Sequence, residues 1–198
     1  MIGTLARLAA TLISTVLLGS SLLAQTLVPP QMDPLEEFNI PNTTSGLVAA
    51  LRHPDYAVRQ AAAFKLGFSP PRPITLPAML GALATEENPY ARSALATAAS
   101  ALGSEQGLAS LRGMCVDATA SALSRSLAAH AMSFFLKRDD CTGTLLDALR
   151  LRENSGAMFY ALDALNRSVN HLSAQEEDEL RGLAAILVRS DNFQVRTL

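Results

Sequence analysis

Arg59, Arg92 and Arg125 are evenly spaced along the chain, and four positions before each is a short polar residue, Asp55, Asn88 or Ser121. One further equal step from Ser121 reaches Asn154, with Met158 in the arginine's place. A later copy, Asn192 with Arg196, follows after a slightly longer interval. Guanidinium groups pair with carboxylates and phosphates, so the series could form an anion-binding stripe. An arginine near a helix start can instead bond backbone carbonyls or the preceding cap, giving one structural tie per repeat. The structural reading is preferred, and the anionic one stays open.

Other residue types offer less chemistry. Tyr56, Tyr90 and Phe193 fall in turns three, two and three positions before arginines of the series. They form either an aromatic binding ridge along one rim or packing against the adjacent turn. His53, His130 and His171 are far apart and lack metal-ligand spacing, so no metal is expected. His130, between Ala129 and Ala131, reads as a partly buried helix residue. There is no G-x-S-x-G elbow, no glycine-rich phosphate loop and no cysteine beside a plausible base, so neither catalysis nor a cofactor is expected. The acidic run Glu176–Glu179 reads as a helix start, with Ser173 and Glu176 as a capping box.

The elements that must position these residues repeat as helix, short turn, helix. Self-similarity at such a period signals stacked repeats. The pairs are expected at Thr44–Arg52 with Tyr56–Gly67, Leu76–Glu86 with Tyr90–Leu102, Glu105–Cys115 with Ala122–Lys137, and Thr144–Arg152 with Ser155–Asn166. A fifth opens at Ser173. In the first pair Leu47, Val48 and Leu51 share one face, and Val58, Ala61, Ala62 and Leu66 form the facing stripe. Each hairpin has an apolar face it cannot bury alone, so neighbours must stack. The fold class expected is all-α, an α-solenoid of four to five repeats over 44–198.

Cys115 and Cys141 pull in two directions. An even count in an exported chain favours a disulfide. The hairpin reading places them at opposite ends of a helix of some 16 residues, roughly 24 Å apart. A disulfide needs Cα atoms within about 7 Å. Either the bond is absent or the boundaries differ.

Ahead of the repeats, Arg7 and the apolar run Leu8–Leu23 read as a signal peptide over 1–24, cut at Ala24. The rival reading is an uncleaved membrane anchor, and a membrane role follows only from that. Residues 25–43 read as a proline-rich linker, with Leu27–Pro41 extended. The expected location is periplasmic or extracellular. The 198 residues are 49% hydrophobic and carry a net charge of −2. The basic residues are scattered singly, which argues against nucleic-acid binding.

The pattern Leu51-x-His53-Pro54-Asp55-x-x-Val58-Arg59-x-x-Ala62-x-x-x-Leu66-Gly67 resembles the HEAT repeat, in particular its short lyase-associated type. That resemblance implies ladders between neighbouring repeats, built here from Asp55/Arg59, Asn88/Arg92, Ser121/Arg125 and Asn192/Arg196. It also implies a scaffold that binds another protein without catalysis. The alternative it carries is an enzyme or enzyme accessory similar to the bilin lyases that share these repeats. Leu180, Leu183, Ala184 and Leu187 form an apolar stripe near the C-terminal end. Left uncovered, it would support self-association.

Overall fold

A computed structural model describes residues 33–152, 154–168 and 172–188. Among them are ten helices and no strand. They are α1 (Pro34–Glu37), α2 (Thr44–Ala50), α3 (Tyr56–Gly67), α4 (Thr75–Leu83), α5 (Pro89–Ala101), α6 (Glu105–Val116), α7 (Ala122–Phe134), α8 (Thr142–Leu151), α9 (Ser155–Ser168) and α10 (Ala174–Val188). Neighbours in sequence pack as pairs, and the second helices α3, α5, α7 and α9 stack in a row. This is the all-α, solenoid-like arrangement that the regular period implies.

Helix starts follow from local chemistry. The Asp55 carboxylate accepts the Ala57 N–H at 2.7 Å, Asn88 Oδ1 accepts Tyr90 N–H at 3.0 Å, and Ser121 Oγ accepts Ser124 N–H at 3.1 Å. Asn154 Oδ1 does the same for Ala157 N–H at 2.9 Å. Each satisfies an amide that the helix itself cannot. Ser173 and Glu176 close a reciprocal capping box at the start of α10. Asp55→Ala is therefore expected to lower stability by about 1 kcal/mol, measured by urea denaturation; an unchanged midpoint would rule out this cap.

Small residues set how closely the row packs. In α5 every residue from Ser93 to Ala99 is buried, as is Ala91, because α3, α4, α6 and α7 all lie against it. Gly67 ends α3 for a reason the sequence reading did not give. A Cβ there would lie 2.5 Å from the Ala98 Cβ, so the glycine serves close approach rather than a left-handed stop. Gly103 is the true left-handed stop, with φ +86° at the end of α5.

Three expectations are corrected. The Leu27–Pro41 linker is not extended throughout: Pro34–Glu37 is helical, and Leu35 is buried in the core. Such a short turn beside prolines offers too little periodicity to be read from sequence. The apolar stripe of α10 is partly covered, since Leu180 and Leu183 pack against the core; the Leu187 side chain lies outside the described residues. Finally, Cys115 and Cys141 are bonded, with Cα atoms 6.3 Å apart. The boundary of α7 explains part of this, because the helix stops at Phe134 rather than Lys137. Lys137 adopts φ 56°, and Arg138 N–H donates to Met132 O at 2.9 Å, turning the chain. The stretch from 135 to 141 can reach about 23 Å, enough to return along a helix of about 20 Å. The start of α8 accordingly lies against the end of α6. Thr144 Oγ1 donates to Cys115 O at 3.0 Å, and Arg112 pairs with Asp140 at 2.8 Å.

Candidate functional site

The arginine series divides in the structure. Arg59, in the first turn of α3, places Nε 2.6 Å and Nη2 2.8 Å from the two oxygens of Glu86. Its Nη1 donates to His53 O and Pro54 O, both at 2.8 Å. Glu86 Oε1 also accepts the Asn88 N–H at 2.9 Å. One guanidinium thus ties the turn of the first hairpin to the turn and cap of the second. Burial pushes the Glu86 carboxyl up, but hydrogen bonds from Arg59 and from the Asn88 amide outweigh it and hold the group below its ordinary value.

The ladder implied by the family resemblance is corrected in two respects. At the first junction the arginine's partner on the next repeat is Glu86, which sequence reasoning missed, and not the cap. Arg92 is exposed and Arg125 half-buried, and among the described residues neither guanidinium has a hydrogen bond or ion pair. The signal for Glu86 was faint. It is distant from Arg59 in sequence, and the residues at the same offset from Arg92 and Arg125 are Thr119 and Arg152. Asn192, Arg196, Phe193 and His171 lie outside the described residues.

Tyr56 and Tyr90 are brought together. They sit in the first turns of α3 and α5 with ring centroids 5.7 Å apart in a stacked arrangement. Tyr90 then meets the edge of Tyr160 at 6.3 Å, and Tyr160 meets His130 at 5.2 Å and Phe159 at 5.4 Å. The His130 ring stacks on Phe134 at 5.1 Å, and its Nε2 lies 2.9 Å from Asp163 Oδ2. Phe135 completes the run against Phe64 at 5.3 Å and Phe68 at 5.9 Å. Two of these contacts skip a helix, since Tyr90 on α5 reaches Tyr160 on α9 across α7, and Phe64 on α3 reaches Phe135 across α5. The row of second helices therefore curls toward this face, which the alanines and serines of α5 and α7 allow. Tyr56, Phe68 and Phe159 remain 42%, 57% and 48% exposed. Sequence reasoning found Tyr56 and Tyr90 from their turns but missed Tyr160, which lies in mid-helix.

At the first junction, a groove of about 1020 Å³ runs between the end of α2 and the face of α4. Arg52, His53, Arg59, Glu86 and Glu87 line it. Among the described residues, no group of three or more metal-ligating side chains is assembled, and no helix is long and apolar enough to cross a membrane.

A family model described as HEAT repeats matches residues 44–133. No curated protein and no solved structure matches the chain.

Proposed function

We propose, from the match of residues 44–133 to a family model described as HEAT repeats, that the chain is an exported scaffold whose ring-lined face holds another protein. Repeats of this kind suit protein interaction, because stacking hairpins creates one continuous surface. The observation that carries the reading is the aromatic run from Tyr56 to Phe68. Rigid rings with one exposed edge lose little entropy on binding and are enriched at interface centres. Export rests on the signal-like residues 1–24, and the Cys115–Cys141 bond supports an oxidising compartment. No reaction is assigned, because His130 and Asp163 serve as a tie between α7 and α9.

The test uses the double variant Tyr56→Ala/Phe159→Ala as bait in an envelope extract. Both side chains are about half exposed, so the melting temperature should change little, whereas partner recovery should fall at least about tenfold, as for interface anchors. Undiminished recovery would exclude this face as the binding surface.

A further inference from the structure

Residues Phe68–Ile74 join α3 to α4, and every one of them is exposed. The same connection one repeat later, from α5 to α6, takes only Leu102, Gly103 and Ser104. The connection from α7 to α8 is as long, but there Cys141 is bonded to Cys115 and Asp140 pairs with Arg112. Among the described residues, no disulfide or ion pair holds the first one. Ser69 Oγ donates to Lys65 O at its start, and Thr75 N–H donates to Arg72 O at 3.0 Å at its end. Phe68 and Ile74 are 57% and 54% exposed, so the longer path leaves two large apolar side chains in water.

The sequence of this connection, Ser69-Pro70-Pro71-Arg72-Pro73, sets its backbone. Each proline ring holds φ at about −65°, and a residue that precedes a proline is pushed toward an extended ψ. Ser69, Pro70 and Arg72 each precede one. Pro70, Pro71 and Arg72 accordingly lie outside any helix or turn. The path this favours is polyproline II, whose three residues per turn put Pro70 and Pro73 on one edge and Ser69 and Arg72 on another. Among the described residues, no hydrogen bond reaches the carbonyls of Ser69, Pro70 or Pro71. The Arg72 guanidinium likewise has neither a hydrogen bond nor an ion pair there. One proline suffices to stop a helix, so helix termination does not account for the set.

We propose that Pro70–Pro73 is a docking segment for a protein partner, read by a groove that is lined with aromatic rings and carries a carboxylate for Arg72. Pro70 and Pro73 enter between the partner's rings, and the open carbonyls accept hydrogen bonds from its tyrosine or tryptophan groups. The path is already set in the free chain, so little entropy is lost on binding. Phe68 makes the segment continuous with the ring-lined face, since its ring lies 6.2 Å from that of Phe64 and 5.9 Å from that of Phe135. The proposal rests on the scaffold reading and names what the partner must carry.

The test places a photoreactive phenylalanine analogue at Ile74 of the full-length chain, irradiates it in an extract of the native cells and sequences the crosslinked partner segment by mass spectrometry. That segment should contain aromatic residues and a carboxylate. Arg72→Glu and Pro70→Ala/Pro73→Ala, each combined with the Ile74 label, should lower the adduct yield at least about tenfold, as for interface anchors. Arg72→Glu should leave the melting temperature unchanged, which separates lost docking from lost folding. A synthetic peptide of residues 68–74 should suppress the adduct, and the same peptide carrying Pro70→Ala and Pro73→Ala should not. No adduct at Ile74, an undiminished yield from Arg72→Glu, or a partner segment without aromatic residues overturns the proposal. Adducts that persist from a label at Tyr56 would then leave the scaffold reading standing alone, and adducts from neither position would remove both.

Discussion

Replacing Cys115 and Cys141 together by alanine is expected to lower stability by about 3.5 kcal/mol. The bond closes a loop of 26 residues, and the chain-entropy relation for a loop of that length gives about this figure. For a domain of this size the loss corresponds to a fall in melting temperature of roughly 7 to 14 °C. Both cysteines are buried, so the native bond should resist mild reductant until the chain opens. The site of damage should be local, because the bond joins the end of α6 to the start of α8. Hydrogen exchange should therefore accelerate in α8 before α3. Loss spread evenly over all repeats would show that the bond does not hold that junction.

Arg59→Ala is expected to cost about 3 to 4 kcal/mol at neutral pH, because it leaves a buried carboxylate without its charge partner. The Arg59 and Glu86 side chains are only 17% and 6% exposed, so water cannot readily replace the lost donors. The pH dependence has a definite sign. The Glu86 carboxyl is held below its ordinary 4.5, so its stabilisation is present above that pH and is lost as pH falls through the lowered folded value. In Arg59→Ala burial acts on Glu86 without the guanidinium, so protonation relieves the variant as the medium is acidified. The gap between wild type and variant should thus be widest near neutrality and close as the pH falls through that lowered value. Melting curves recorded across that range decide the matter. An unchanged melting temperature combined with lost partner capture would make Arg59 a binding residue instead of a structural one.

What the sequence discloses is what its local chemistry determines. Asp55, Asn88, Ser121 and Asn154 cap helices with atoms two or three positions away, so the even spacing of such residues was enough to lay out the hairpins. Glu86 was hidden because its partner is remote in sequence and later copies replace it with Thr119 and Arg152. The ring network was hidden for a related reason. Tyr90 and Tyr160 meet only because the intervening helix α7 is small enough for the row to curl, which no residue spacing expresses. The cysteine pair is not legible because helix length gives a distance along one helix and not in space, and the chain returns along that helix. The short helix at Pro34–Glu37 lies below the length at which periodicity can be read.

Whether the ring-lined face of the second helices holds a protein partner is tested most directly by photo-crosslinking. A photoreactive phenylalanine analogue is placed singly at Tyr56, Phe159, Gln106 and Ala109 in the full-length chain, the last two being exposed positions on α6. Irradiation in the native cells should give adducts at Tyr56 and Phe159 that share one partner mass, and none at Gln106 or Ala109. Adducts confined to Gln106 and Ala109 would contradict the claim and move the interaction to the first helices.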